Sequence, residues 1–177
     1  MTALPEERFP SRRSRTGPSL CRDGAFVERP LTMREVTEDD LPELVRVDQE
    51  AFPDDPYPYF VLRQLCDLHG DCLLVLEDGK SLHGYVLYVT TRDGYRSWIV
   101  SLGVTRDQRG RGLGRRLMLE VLRRLRGEDV REVRLTVEPA NAAAIMLYRS
   151  LGFSSDEGVR HDYFGPGEDR LIMTLGL

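Results

Sequence analysis

The sequence lacks any apolar run long enough to cross a membrane. No stretch approaches the roughly 18 consecutive apolar residues that a membrane-spanning helix requires. The hydrophobic and charged fractions, 41% and 31%, are those of an ordinary globular protein. We therefore expect a protein that neither enters a membrane nor has a membrane partner.

Cysteine and histidine are scarce, with three residues of each type. The cysteines are odd in number and lack the paired C-x-x-C spacing of zinc sites, and the histidines are scattered. These residues are Cys21, Cys66, Cys72, His69, His83 and His161. We expect reduced thiols, a cytoplasmic location and no bound metal.

Lysine is almost absent, since Lys80 is the only lysine among 25 lysine and arginine residues. The formal net charge is nevertheless −4, because 29 aspartate and glutamate residues outnumber the basic ones. An acidic chain without a recognised nucleic-acid-binding motif is a poor candidate for that function. We expect no nucleic-acid partner.

The first part of the chain differs in composition from the rest. Residues 1–28 mix arginine with serine, proline and glycine and show no helical or strand period, which is typical of a flexible arm. The remaining residues, 29–177, are long enough to form one domain with its own core. We predict an N-terminal arm followed by a single folded domain.

Hydrophobic periodicity predicts alternating strands and helices from residue 31 onward. Strands are predicted at 31–36, on both sides of Asp78-Gly79, and at 97–104, 133–137, 159–164 and 171–175. Helices are predicted over an apolar stripe from 41 to 47 and at 60–68, 113–125 and 141–151. The order β-α-α-β-β-β-α-β-α-β-β predicts a mixed α/β domain.

The stretch RDQRGRGLGRR at 106–116 joins a predicted strand to a predicted helix. Its glycines allow close approach of the backbone to a ligand, and the helix N-terminus offers unpaired N–H groups to an anion. It is neither a P-loop nor a dinucleotide-binding fingerprint. On this stretch alone, a phosphate site and a plain tight turn both remain open.

A second stretch, VEPANAAAIMLYRSLGF at 137–153, follows after one helix and one strand. Together the two stretches resemble the GNAT superfamily of acyl-CoA-dependent N-acetyltransferases over residues 30–177. The matching positions are Arg109, Gly112 and Gly114 in the first motif and Asn141, Ala144, Tyr148, Gly152 and Phe153 in the second. The resemblance implies a mostly antiparallel central sheet with splayed strands flanked by helices, and acetyl transfer from acetyl-CoA to a primary amine.

The resemblance also implies a cofactor site around the glycine-rich loop. It assigns coenzyme A binding to Leu102, Val104, Arg109, Gly110, Arg111, Gly112, Leu113, Gly114, Asn141 and Tyr148. The N–H of Leu102 would donate to the thioester oxygen as it becomes an oxyanion, and Gly103 would ease a bulge where the strands splay. Tyr148 would be the general acid for the departing thiol, although it also fits a purely packing role.

The acceptor side resembles, more weakly, the branch that acetylates ribosomal-protein alanine and other protein N-termini. This likeness implies substrate contacts at Phe52, Pro53, Tyr57, Thr136 and Tyr163. That branch commonly has Glu or His where Thr136 stands, so Glu138, on the same strand face, or water is the candidate base.

Two other functions remain open from the sequence. A small-molecule amine acetyltransferase would use the same cofactor machinery, with the acids Glu50, Asp54 and Asp55 attracting a polyamine or aminoglycoside. A non-enzymatic sensor of acyl-CoA is the second alternative. The preferred interpretation is an enzyme that acetylates the N-terminal α-amine of a peptide or protein.

Overall fold

A computed structural model describes residues 30–155 and 158–177. The arm predicted for residues 1–28 lies outside the described residues. The described strands are β1 (Thr32–Glu35), β2 (Leu73–Glu77), β3 (Leu82–Thr90), β4 (Arg96–Val104), β5 (Glu132–Val137), β6 (Val159–Arg160) and β7 (Arg170–Gly176). The described α-helices are α1 (Leu41–Ala51), α2 (Tyr59–His69), α3 (Leu113–Gly127) and α4 (Ala142–Ser150).

The strands form one open sheet in the order β1-β2-β3-β4-β5-β7-β6. Only the β4–β5 pair is parallel among the paired strands of the described residues. Helix α3 connects β4 to β5, as parallel neighbours require a crossover. The predicted order of elements and the predicted mostly antiparallel sheet flanked by helices are confirmed.

Each face of the sheet packs against two helices. Leu44 and Val47 of α1 and Leu62 of α2 are fully buried against one face, together with Val75 and Tyr85 of the sheet. The opposite face packs against α3 and α4 through residues such as Leu117, Val121 and Tyr148. Alternate residues of one strand therefore contribute to different cores.

Strands β4 and β5 pair over only part of their length. Their parallel register ends at Ile99 opposite Leu135, although β4 continues to Val104 and β5 to Val137. An irregularity in the β3–β4 register leaves Val100 as an extra residue between Ile99 and the next paired residue of β4. Beyond it the two strands diverge and leave a gap at the carboxyl end of β4.

The predicted role of Gly103 in this bulge is wrong, because the irregularity lies at Val100 and Gly103 is regularly paired with Tyr85. Gly103 instead allows a close approach of side chains. A Cβ at this position would lie 2.7 Å from Cε1 of Tyr85 and 3.1 Å from Cβ of Ala51. Glycine is therefore required at position 103, because the Tyr85 ring packs across it.

Strand β6 is shorter than the predicted strand 159–164. The chain turns at Asp162, which has a left-handed φ of 52°. The Asp162 carboxylate accepts the N–H of Gly167 at 2.6 Å, and its own N–H donates to Asp169 at 3.0 Å. The turn places Tyr163 and Phe164 in the β6–β7 loop rather than in a strand.

Within the described part of the chain, no helix is both long and apolar enough to span a lipid bilayer.

We expect Gly103→Ala to destabilise the fold by about 1–3 kcal/mol, because the new methyl group overlaps the Tyr85 ring. Gly127→Ala, at the end of α3 where an added Cβ meets nothing within 4 Å, is the matched control. It should leave the melting temperature unchanged or raise it slightly. Thermal unfolding followed by circular dichroism measures both, and equal melting temperatures for the two variants would contradict the packing argument.

Candidate active site

The gap between β4 and β5 opens into a cleft of about 790 Å³. Its walls come from the end of α1 and the segment after it, from β4, from the glycine-rich loop with the start of α3, and from α4. The predicted site residues that line it are Phe52, Pro53, Leu102, Val104, Arg109, Gly110, Gly112, Leu113, Gly114, Glu138, Asn141 and Tyr148. The fold thus gathers most of the predicted positions around one cavity.

Four predicted site residues lie outside the lining of the cleft. Arg111 is exposed, and its guanidinium donates to the side chain of Gln108 at 3.1 Å. Tyr57 packs against the core beneath α1 and α2, and Thr136 is half-buried on β5. Tyr163 lies in the β6–β7 loop, with its ring 5.1 Å from that of Phe164. Any contact of these residues with a substrate is left as a prediction.

The glycine-rich loop reaches the start of α3 through two left-handed residues. Gly110 has a φ of 76° and Gly112, which caps α3, has a φ of 78°. An added Cβ at either position would meet nothing within 4 Å, so the glycines serve the backbone conformation. Among the described residues no side chain caps the helix, and the residues of its first turn, Leu113, Gly114 and Arg115, line the cleft. This end of the cleft suits a phosphate.

Arg109 contacts protein carbonyls at the edge of the cleft. Its Nε donates to the carbonyl of Val104 at 3.2 Å, and its Nη2 donates to the carbonyl of Ala51 at 3.0 Å. The side chain therefore ties the glycine-rich loop to both β4 and the last residue of α1. Its positive charge lies beside the loop, where it adds to the field of the helix N-terminus.

The main chain of β4 presents hydrogen-bonding groups to the gap. Thr105 N–H donates to the carbonyl of His83, which identifies that antiparallel pair as hydrogen-bonded. Because such pairs alternate, the N–H and C=O of Leu102 and Val104 point away from β3 and toward β5. Since β5 no longer pairs there, the Leu102 N–H is directed into the cleft.

Asn141 begins the helix that forms the far wall of the cleft. Its side-chain oxygen accepts the N–H of Ala144 at 3.0 Å, which is the contact of an N-cap residue. This cap fixes the first turn of α4, and with it the direction in which the rest of the helix presents its side chains. Asn141 therefore has a structural role that is independent of any ligand.

Tyr148 lines the cleft from α4 and is only 7% exposed. Its ring lies 6.0 Å from that of Phe153. None of the described residues forms a hydrogen bond with its hydroxyl, and burial raises the pKa of Tyr148 to about 12. The phenol is therefore protonated at neutral pH and its proton is free to donate to a ligand.

Carboxylates also line the cleft. Asp54, Asp55 and Glu138 are exposed side chains in its lining. Glu168 and Arg170 line it as well, and the Glu168 carboxylate pairs with the Arg170 guanidinium at 2.7 Å. The lining thus combines a basic loop with carboxylates, so it offers contacts to an anionic and to a cationic ligand.

One buried carboxylate near the cleft was not identified from the sequence. Asp48 of α1 is fully buried, accepts the N–H of Tyr57 at 2.7 Å, and accepts a hydrogen bond from the hydroxyl of Tyr85. Burial raises its pKa, and the two donors oppose that shift. The sequence signal for the burial of Asp48 was its position on the apolar stripe of α1, seven residues after Leu41 and four after Leu44.

Comparison with known families supports what the geometry suggests. A model of the acetyltransferase (GNAT) family matches residues 33–153, more than half of the chain. The chain belongs to the GNAT family of acetyltransferases. It is therefore an acyl-CoA-dependent N-acetyltransferase with acetyl-CoA as the acyl donor.

Individual relatives of this GNAT protein differ in the acceptor that their names specify. The N-alpha-acetyltransferase RimI of Mycobacterium tuberculosis is 32% identical over 139 residues, covering 76% of this chain and 85% of the relative. The L-2,4-diaminobutyric acid acetyltransferase of Shouchella clausii is 28% identical over 135 residues, covering 75% of each chain. The crystal structure of the ribosomal-protein-S18-alanine N-acetyltransferase from Escherichia coli has a TM-score of 0.70 at 26% identity, covering 83% of this chain and 94% of that one.

The cleft of this GNAT protein fits acetyl-CoA. The N-terminus of α3 and the left-handed glycines at 110 and 112 are the predicted anion cradle for the pyrophosphate. The main-chain groups of Leu102 and the N–H of Val104 would offer strand-like hydrogen bonds to an extended amide chain, whereas the carbonyl of Val104 already accepts the Nε of Arg109. When bound, acetyl-CoA supplies an activated acetyl group as a thioester. The predicted contributions of the protein are orientation, the N–H of Leu102 and the hydroxyl of Tyr148.

We expect Gly112→Glu to abolish acetyl-CoA binding, because it places a carboxylate at the anion cradle. Gly79→Glu is the matched control, since Gly79 has a similar φ of 82° in the β2–β3 hairpin and does not line the cleft. Both variants should lose similar stability, about 1–2 kcal/mol from left-handed strain. Isothermal calorimetry with acetyl-CoA should show normal binding for Gly79→Glu alone. Normal binding by a folded Gly112→Glu variant would refute the phosphate assignment.

We expect Tyr148→Phe to lower kcat by about 10²-fold, a usual contribution of a general acid, with little change in melting temperature. The hydroxyl has no bond within the described residues, so its removal leaves no partner unpaired. Tyr85→Phe is the contrasting control, because the Tyr85 hydroxyl bonds to Asp48 and Ser101 and its loss should lower the melting temperature. Undiminished turnover in Tyr148→Phe would restrict Tyr148 to packing.

Proposed function

We propose that the protein transfers the acetyl group of acetyl-CoA to the N-terminal α-amine of a peptide or protein. The observation that carries this proposal is the similarity, at 32% identity over three quarters of the chain, to a relative named as an N-alpha-acetyltransferase. The related crystal structure, an enzyme named for the alanine of a ribosomal protein, supports the same acceptor. The walls formed by Phe52 and Pro53 offer apolar surface to the first residues of a peptide.

The side chains around the cleft also favour an α-amine. Among the described residues that line it, none is a histidine or a lysine, and Glu138 is the carboxylate that continues from the end of β5. An α-amine has a pKa of about 7.7–8.0 and a lysine side chain about 10.4, so the α-amine is neutral roughly a few hundred times more often at pH 7. An α-amine therefore needs little help from a base.

The proposed chemistry assigns one task to each group. Glu138 or a water accepts the proton that the amine loses as its nitrogen bonds to the acetyl carbon. The N–H of Leu102 stabilises the negative charge that develops on the acetyl oxygen. Tyr148 donates its proton to the sulfur as the carbon–sulfur bond breaks. The products are an acetylated amine and a free thiol, and the enzyme forms no covalent intermediate.

A small diamine is the second candidate acceptor. It is favoured by the 28% identity to a relative named as a diaminobutyric acid acetyltransferase. The carboxylates of Asp54, Asp55 and Glu138 in the cleft lining would attract its second ammonium group. Both candidates use the same donor site and differ only in the amine that contacts these carboxylates.

The test uses a short peptide with a free N-terminus and one internal lysine, the same peptide with a blocked N-terminus, and a diamine. Of the three substrates, only the peptide with a free N-terminus should cause release of the thiol of coenzyme A. The rate should rise with pH around the α-amine pKa of about 7.7–8.0 and should not fall through Tyr148, whose pKa of about 12 lies higher. Acetylation of the peptide with the blocked N-terminus would reject the α-amine proposal. Acetylation of the diamine without acetylation of the unblocked peptide would also reject it.

A further inference from the structure

Both ends of the segment that follows α1 are attached to a single residue. The main-chain carbonyl of Asp48 accepts the N–H of Phe52 at 2.8 Å, and its carboxylate accepts the N–H of Tyr57 at 2.7 Å. Between these two anchors lie residues 53–55, which line the cleft on the acceptor side. The Phe52 bond is the last i→i−4 bond of α1, which any residue at position 48 would form. The Tyr57 anchor, in contrast, depends on the Asp48 carboxylate.

The same carboxylate is connected to β4, which forms another wall of the cleft. It accepts a hydrogen bond from the hydroxyl of Tyr85, which is hydrogen-bonded in turn to Oγ of Ser101 at 2.7 Å. Ser101 is the residue before Leu102 on β4, whose N–H points into the cleft. Two buried hydrogen bonds thus join the acceptor-side wall to the strand that carries the oxyanion donor.

Burial of an aspartate side chain at this position costs free energy. Asp48 is 0% exposed on the face of α1 that otherwise carries Leu41, Leu44 and Val47. A buried carboxylate loses its hydration, which costs free energy unless hydrogen-bond donors replace the lost water. What an apolar side chain cannot do is accept the Tyr57 N–H and the Tyr85 hydroxyl.

We propose that Asp48 is a positioning residue that holds residues 52–57 at a fixed distance from Leu102, so that the acceptor amine meets the acetyl group in the reactive geometry. The inference rests on the proposed function in one respect, namely that the acceptor enters along Phe52 and Pro53. It extends that function by naming the group that sets the acceptor wall. Asp48 acts through Tyr57 and Tyr85 and does not contact the reacting atoms itself.

The decisive comparison is Asp48→Ala against Leu44→Ala. Both residues are fully buried on the same face of α1, and Leu44 contacts the core without bonding to the segment 52–57. Both variants should lower the melting temperature. We expect Asp48→Ala alone to raise the KM for the acceptor by about tenfold, the size expected for one lost buried hydrogen bond, while the KM for acetyl-CoA changes by less than about twofold.

Asp48→Asn should rescue the acceptor KM. The amide oxygen can accept the Tyr57 N–H, and the amide nitrogen can donate to the Tyr85 hydroxyl, which then donates to Ser101. If Asp48→Ala does not fold, Asp48→Ser replaces it with the same expectation, because one hydroxyl cannot reproduce both carboxylate contacts. A parallel rise of both KM values, or a rise of the acceptor KM in Leu44→Ala as large as that in Asp48→Ala, would overturn the proposal.

Amide hydrogen exchange separates this inference from the acceptor assignment. Measured without any substrate, exchange at the Tyr57 N–H should be faster in Asp48→Ala than in Leu44→Ala and close to wild type in Asp48→Asn, because of the two anchoring amides only this one bonds to the Asp48 side chain. If the wild type acetylates a small amine and no peptide, the proposed acceptor is wrong, and the same KM comparison is made with that amine. Unchanged exchange at Tyr57 in Asp48→Ala would reject the anchoring role whatever the acceptor.

Discussion

The end of parallel pairing between β4 and β5 at Ile99 and Leu135 is the constraint on which the site depends. Had the ladder continued to Val104, the N–H and C=O groups of Leu102 would be bonded to β5 and no cleft would exist. The extra residue Val100 marks the point where β4 departs from regular pairing. The glycine-rich loop, α3 and α4 then surround an opening that the sheet itself provides.

The sequence predicted the order of the elements because apolar periods of two and of 3.6 residues are local signals. The two glycine- and asparagine-containing stretches were also local, and the fold brings both to one cleft. Contacts between distant segments could not be predicted in this way. Asp48 and Tyr85 are 37 residues apart and Tyr85 and Ser101 are 16 apart, so their network exists only once α1 lies on the sheet.

Two detailed differences have equally physical causes. Gly103 serves the Tyr85 ring instead of a bulge, because what a glycine permits depends on which side chain lies opposite. Strand β6 ends early because the carboxylates of Asp162 and Asp169 bind loop amides, which favours a turn over continued pairing.

The predicted use of main-chain groups at Leu102 and Val104 has a consequence for how the protein can diverge. A backbone N–H offers the same donor whatever side chain the residue carries, so the side chain at position 102 can change without loss of that donor. Binding through the main chain depends on the path of the backbone rather than on residue identity. The backbone path is what a structure of 26% identity shares with this chain at a TM-score of 0.70, whereas loops tolerate more change of sequence.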